Sequence, residues 1–345
     1  MTTAHEAPPG IDLPALQRYF TRHVPGHAGP LHVELITGGK SNLTYLVSDA
    51  TQRWVLRRPP LGPLTPTAHD MAREFRVVAA LRGTTVPVAE AVALCQDISV
   101  LGVPFTVVSY VDGWILRDGD DAAALPGERA HRCALSLVRT LARLHAIPFA
   151  DVGLGDFGRP DGYLQRQLRR WYGQWIRVAT RELPDVDTLF ARLGDAVPQR
   201  SESSIVHGDY RLDNTIVHRA DPTRIVAVVD WEMSTLGDPL SDLGLLLTYW
   251  DPISEPVLGL RHVPSANPGF PTADKLAEAY ALVSGRDLRD LGFYRALGYV
   301  KLAVIAEGIH QRYLAGETVG GGFDTVGSAV PALVSAGHSC LGKTR

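Results

Sequence analysis

Ile205-Val206-His207-Gly208-Asp209-Tyr210-Arg211-Leu212-Asp213-Asn214 is the stretch on which the reading of this 345-residue chain turns. An apolar pair leads into a turn that carries an aspartate and then an asparagine, and the strand-like run Thr215–His218 follows at once. Sixteen positions beyond Asn214 (230 − 214) comes Val228-Val229-Asp230-Trp231-Glu232, a second apolar run ending in a carboxylate. Oxygen-bearing side chains thus leave neighbouring strand ends. Such donors suit a hard cation such as Mg²⁺, which phosphoryl transfer needs to neutralise charge on nucleotide phosphates. Alone, the same residues would be caps and turn formers; the strand on each side and the spacing to Asp230 argue for chemistry.

Outward from this stretch the chain divides into two patterns. Toward the N-terminus, Asp12 and Pro14 open a short helix with Leu13, Leu16 and Phe20 at helical spacing. Short segments rich in β-branched or aromatic residues then follow at Val33–Thr37, Leu43–Ser48 and Arg53–Arg58, with turn residues between them. The proline-rich run from Pro59 to Pro66 breaks the pattern, a helix is predicted over Ala68–Leu81, and Ala89–Cys95 and Phe105–Tyr110 complete a five-stranded antiparallel sheet. After Val111-Asp112-Gly113 the pattern is mainly helical: Arg129–Ile147, Tyr163–Thr180, Leu240–Trp250, Ala273–Val283 and Asp290–Leu314, with Ile225–Val229 as a further strand. The end beyond Gly320-Gly321-Gly322 is expected to be poorly ordered.

Composition excludes several classes. Hydrophobic content of 45% and charged content of 21% describe an ordinary globular protein. A net charge of −3 offers nothing to draw the chain to nucleic acid or anionic lipid. Cys95, Cys133 and Cys340 are odd in number and far apart, which fits reduced thiols and no zinc site. With no basic-then-apolar leader, and with Leu243–Trp250 too short to span a bilayer, a cytoplasmic location without membrane partners is expected.

The H-G-D-x-x-x-x-N pattern followed by an apolar strand and D-W-E resembles the aminoglycoside phosphotransferase family, distant relatives of protein kinases, and is closer still to the branch fused to acyl-CoA dehydrogenases. The resemblance rests also on Gly38-Gly39-Lys40-Ser41-Asn42, Val55-Leu56-Arg57-Arg58-Pro59-Pro60 and Gly237-Asp238-Pro239, in the family's order. It implies a protein-kinase-like two-lobe α+β fold: an N-terminal nucleotide-binding lobe over 1–108, a hinge at 109–113 and a mainly helical C-terminal lobe over 114–345, with the nucleotide between the lobes.

By that resemblance Asp209 is the catalytic carboxylate that orients the attacking hydroxyl and accepts its proton, and Asn214 and Asp230 hold Mg²⁺. Arg211 stands where related kinases place a basic residue reaching the transferred phosphate; a salt bridge is the equal alternative. Gly38, Gly39, Ser41 and Asn42 form a turn that brings backbone N–H groups and small donors to the ATP phosphates. The third strand lacks the kinase Lys. Strand parity puts Val55 and Arg57 on one face and Leu56 and Arg58 on the other, which selects Arg57 as the phosphate-facing cation; the kinase relatives' Lys–Glu pairing implies Glu74 on the following helix as its partner. Ser109 and Val111 present main-chain groups to the adenine. His207 and the aspartates of Gly237-Asp238-Pro239-Leu240-Ser241-Asp242 are read as structural, and Glu232 as either a cap or a substrate contact. Asp156-Phe157-Gly158 spells the kinase metal motif, but it precedes the catalytic loop and follows no apolar strand, so it is read as a turn.

Gly208 occupies the place where regulated protein kinases carry an Arg, and there is little room after Asp230 for an activation loop, so the expected acceptor is a small-molecule hydroxyl rather than a protein. The segment 158–181 holds six Arg against the single acid Asp161, a poor surface for a polycation. A hydroxyacyl-CoA or other anionic metabolite is therefore the favoured acceptor, although a solvated basic helix face explains the arginines as well. An aminoglycoside O-phosphotransferase and a catalytically silent nucleotide-binding regulator are the alternatives.

Overall fold

The computed structural model describes residues 7–36, 42–62, 70–318 and 320–342. The chain forms two units: residues 1–112 together with 227–232, and residues 113–226 together with 233–345. The short return of 227–232 to the first unit has no counterpart in a contiguous division into lobes.

The first unit contains α1 (Leu13–His23), β1 (His32–Ile36), β2 (Leu43–Ser48), β3 (Arg53–Arg58), α2 (Met71–Leu81), β4 (Ala91–Cys95), α3 (Ile98–Leu101) and β5 (Phe105–Ser109). The strands form one antiparallel sheet in the order β1-β2-β3-β5-β4. Burial alternates along β3: Trp54, Leu56 and Arg58 are buried, whereas Val55 and Arg57 are less so. Trp54 and Leu56 pack with Tyr45, Val47, Phe105 and Val107 and with Leu16 and Phe20 of α1. Each of these large side chains contributes roughly 1.5–3 kcal/mol by leaving water, which commits the strand's register. With period 2, the same register places Arg57 on the opposite face. Asp12 caps α1 by accepting from Ala15 N, and Asp70 caps α2 by accepting from Arg73 N. The part of the expected helix before Asp70 lies outside the described residues.

The second unit contains α4 (Gly119–Ala123), α5 (Gly127–His145), α6 (Tyr163–Val178), α7 (Pro184–Asp195), β6 (Ser204–Val206) and β7 (Thr215–Val217). Strand β8 (Ile225–Val228) carries the chain across to the first unit; after the return come β9 (Thr235–Gly237), α8 (Pro239–Tyr249), α9 (Glu255–Leu258), α10 (Ala273–Ser284), α11 (Leu291–Leu314) and α12 (Ala329–Leu341). Strand β6 pairs antiparallel with β9. Helix α11 is buried on nearly all sides, from Phe293 and Tyr294 to Ala306, as befits a helix with no single apolar stripe. It packs against α8 and α12. A Cβ on Gly244 of α8 would stand 2.5 Å from the Tyr294 backbone, so this glycine sets how closely α8 and α11 approach.

One sequence expectation is corrected, and one helix was not anticipated. Beyond Gly322, expected to be poorly ordered, Ala329–Leu341 form helix α12, whose Val330, Leu333 and Val334 are buried. Helix α7 was absent from the sequence reading, although Pro184 at its start and Val186, Leu189, Phe190 and Leu193 at helical spacing signal it. Among the described residues, no helix is long and apolar enough to cross a membrane.

Candidate functional site

In the first unit, Arg57 reaches from β3 to two carboxylates. Its Nη1 lies 2.6 Å from Glu74 Oε1 on α2, and its Nη2 donates to Asp230 Oδ1 at 2.9 Å. Glu74 is only 6% exposed. Burial pushes its carboxyl up to about 7, Arg57 pulls against that, and Asp230 and Glu232 add to the rise. Burial works to lower the Arg57 guanidinium, but Glu74 and Asp230 outweigh it and hold it above its ordinary value. The Nε of Arg57 is buried without a hydrogen-bond acceptor among the described residues. A phosphate oxygen would satisfy that donor.

Among the described residues, Asp230 is the one non-glycine residue with positive φ, 65°. Aspartate tolerates this conformation better than most side chains, and holding it there bends the chain immediately after β8. Trp231 Nε1 donates to Val228 O at 3.0 Å and braces the bend. Asn42 Nδ2 donates to Glu232 Oε2 at 3.1 Å, so Glu232 anchors Asn42 just before the start of β2. Gly38, Gly39 and Ser41 lie outside the described residues. Ser109, at the end of β5, donates its N–H to Glu90 O at 2.9 Å, and Val111 follows just past the strand.

In the second unit, the loop after β6 presents Asp209 with both carboxylate oxygens engaged. Asn214 Nδ2 donates to Asp209 Oδ2 at 3.1 Å and to its main-chain oxygen at 2.8 Å, and Tyr249 Oη donates to Oδ1 at 2.5 Å. Arg211 Nε lies 3.5 Å from Oδ2, with Nη2 3.2 Å from Asp213 Oδ2. Burial works to raise the Asp209 carboxyl, but Arg211, Lys301 and the Tyr249 hydrogen bond outweigh it and hold it below the usual range. It is ionised at neutral pH. With the Asn214 amide nitrogen turned to Asp209, its Oδ1 is left as an acceptor, the atom a hard cation would use.

The loop's backbone is fixed from below. Asp242, in the first turn of α8, accepts from His207 N at 2.6 Å and Gly208 N at 2.8 Å, and its Oδ2 lies 3.2 Å from His145 Nε2. His145 Nδ1 meets Tyr280 Oη at 2.7 Å, and burial lowers the imidazole's pKa, so His145 is a neutral donor to Asp242. His207 is fully buried and takes the Asp209 N–H on Nδ1 at 3.3 Å, the structural role expected of it. Gly208 adopts φ 84°, which a Cβ would make costly, and its carbonyl accepts from Lys301 Nζ of α11 at 2.9 Å. Asp238 caps α8 through Leu240 N, while Asp242 turns out to be the anchor of the loop rather than a second cap. Asp156-Phe157-Gly158 is a turn with Phe157 buried.

Sequence reading missed Tyr249, Lys301 and His145. The available signal was a lysine set among the apolar residues of α11, and a tyrosine about two helical turns after Asp242. Among the described residues, no cluster of three or more His, Cys, Asp or Glu forms a metal cage by itself. Mg²⁺ does not require such a cage, because it keeps much of its coordination for water and nucleotide phosphates.

Residues 32–276 match the Phosphotransferase enzyme family, APH. Acyl-CoA dehydrogenase family member 11 of Rattus norvegicus is 37% identical over 314 residues, covering 89% of this chain and 40% of the rat protein. The Gallus gallus protein of the same name is 38% identical over 320 residues, again covering 89% and 40%. The chain therefore spans well under half the length of these curated relatives. Among solved structures, a Ralstonia eutropha protein provisionally described as an aminoglycoside phosphotransferase superposes with TM-score 0.83 at 34% identity, covering 97% of this chain and 99% of that one. Aminoglycoside 2′-phosphotransferase-IIIa in its GDP complex shares the fold, with TM-score 0.63 at 16% identity and coverage of 96% and 99%.

Proposed function

The chain belongs to the phosphotransferase enzyme family APH, and from that premise we propose that it transfers the γ-phosphate of ATP, with Mg²⁺, to a hydroxyl of a small molecule. The observation that carries the proposal is the Asp209 carboxylate, ionised, held at both oxygens and followed by Asn214 on the same loop. In this reading Asp209 orients the acceptor hydroxyl and takes its proton while oxygen bonds to the γ-phosphorus and the bond to the departing diphosphate breaks. Arg211, already beside Asp209, meets charge on the transferred group. Asn214 and Asp230 are the magnesium ligands; bound Mg²⁺ supplies charge neutralisation on the phosphates. Arg57, oriented by Glu74, holds the phosphates through its fork, with Gly38, Gly39, Ser41 and Asn42 as the phosphate turn and Ser109 and Val111 at the adenine.

The Arg57–Glu74 pair weighs against the silent-regulator alternative, because the third-strand cation position is filled and partnered at 2.6 Å. For the acceptor, an anionic metabolite such as a hydroxyacyl-CoA is favoured over a polycationic aminoglycoside. Lys301, beside the Asp209 loop, sits 5.6 Å from the Trp171 ring centroid, and Arg170 lies 5.9 Å from the same ring. Other arginines of the basic segment serve the fold: Arg166 donates to the Arg159 and Asp161 carbonyls, and Arg181 pairs with Glu307 at 3.1 Å.

The test incubates the protein with labelled ATP, Mg²⁺ and a panel of hydroxyacyl-CoAs, free hydroxy acids, sugars, choline-like alcohols and aminoglycosides. Asp209→Asn should keep Mg·ATP binding and lose transfer. Unchanged turnover in that variant removes the assignment, and transfer confined to aminoglycosides reverses the acceptor preference.

A further inference from the structure

The carboxylate proposed as proton acceptor is gripped at Oδ1 by a residue that the proposed reaction has not used. Tyr249 Oη donates to Asp209 Oδ1 at 2.5 Å, while Asn214 Nδ2 occupies Oδ2 at 3.1 Å. Tyr249 closes α8, at whose other end Asp242 accepts from His207 N and Gly208 N. Residues 242 and 249 are about two turns apart and share one face of the helix. One rigid element thus fixes the loop's main chain through its first turn and the acidic side chain through its last.

The phenol has little freedom to let go. Tyr249 is 8% exposed, and the Arg211 guanidinium lies 5.3 Å from its ring centroid, closing a circuit of Tyr249, Asp209 and Arg211. Burial keeps the phenol protonated, so it acts as a donor. A carboxylate turns readily about its terminal torsion, which has broad wells. Without the Oη donor, Asp209 would be left with Asn214 and Arg211, both on the Oδ2 side.

We propose that Tyr249 is a positioning residue for phosphoryl transfer: its hydroxyl sets the rotation of the Asp209 carboxylate and so aims the oxygen that meets the acceptor hydroxyl. The inference rests on Asp209 being the proton-accepting group proposed above. Tyr249 touches neither substrate nor nucleotide in this scheme; it acts through Asp209. Misplacing a reacting group by about 1 Å costs up to roughly 10²-fold in rate, which sets the scale of the effect.

The experiment is Tyr249→Phe, which keeps the ring under Arg211 and deletes the hydroxyl. The expected result is a kcat lowered by about 10- to 100-fold, with acceptor KM and the Kd of Mg·ATP within about threefold and cooperative unfolding retained. In an Asp209→Asn background the same substitution should cost nothing further, because the group it positions is already gone. A crystal structure of the variant should show the Asp209 carboxylate rotated or in two orientations. Unchanged kcat in folded Tyr249→Phe, an equal loss on top of Asp209→Asn, or an unmoved carboxylate overturns the inference. If the Phe variant does not fold, Tyr249→Met, a flexible apolar filler, is read by the same criteria. A wild-type protein that transfers phosphate to no acceptor would sink the proposed function instead, and the carboxylate's orientation in the variant crystal would still decide the role of Tyr249.

Discussion

Asp242→Asn is an almost isosteric change, yet it should destabilise the protein by about 2–4 kcal/mol. The wild-type carboxylate, 1% exposed, accepts two backbone N–H groups, one on each oxygen, and faces His145 Nε2 through Oδ2. An asparagine offers one oxygen and one NH₂. If the oxygen faces His207 N–H, the NH₂ faces Gly208 N–H; if the amide flips, His207 and His145 lose their acceptor. Either way a buried donor confronts a donor, at about 1–3 kcal/mol, and the surviving bond falls from charge-assisted to neutral, adding about 1 kcal/mol. Relief from burying a charge opposes this. It is the smaller effect here: burial raises the Asp242 carboxyl, yet His145 and the Gly208 N–H hold it below its ordinary value, so the surroundings favour the anion on balance. Urea unfolding at pH 7.5 gives the stability change, and amide hydrogen exchange at His207 and Gly208 locates it. A loss under about 1 kcal/mol, with protection at both amides unchanged, would mean that the loop is held by something other than Asp242.

Three further outcomes follow from the same geometry. Gly208→Ala puts a Cβ 2.6 Å from Met233 O at φ 84°, and a cost of about 2–4 kcal/mol is expected from the left-handed backbone plus the clash; thermal unfolding checks it, and a melting temperature within a degree or two of wild type would contradict it. Arg57→Met leaves Glu74 buried beside Asp230 without its cation, so stability at pH 8 should fall by about 3 kcal/mol, and by less at pH 6, where a carboxyl already pushed up to about 7 takes a proton; an equal loss at both pH values in urea titrations would refute this. His145, whose pKa burial lowers from 6.5, stays neutral in the folded protein while the unfolded chain binds a proton, so its contribution is fully present above pH 6.5 and is lost as pH falls below that value, at up to about 1.4 kcal/mol per pH unit. His145→Gln should flatten that acid slope in urea midpoints taken from pH 7.5 to 5.5, and an unaltered slope would show that another group titrates.

What could be read from the chain, and what could not, divides by the length scale of the cause. Strand parity is hard local geometry: once Trp54 and Leu56 face the core, Arg57 must face the other way, so period 2 made its facing legible, whereas Glu74 as its partner came from the family resemblance. The spacing that singled out Asp209 and Asn214 is local too, since one short loop brings the amide to the carboxylate. The order of α12 was illegible for the opposite reason. Its window contains Pro331 and follows three glycines, so propensity argues against it, and burial of Val330, Leu333 and Val334 against the rest of the unit supplies what propensity lacks. Tyr249 and Lys301 fall in the same class. Lys301 reaches Gly208 O because Gly244 permits α8 and α11 to approach closely, and nothing within a few residues of Lys301 encodes that approach. The Asp209 loop is therefore specified twice, once by its own sequence, which a motif records, and once by the helices that brace it. Substitutions at bracing positions such as Gly244 should accordingly perturb Asp209 as surely as changes in the loop, while leaving every residue of the recognisable motif intact.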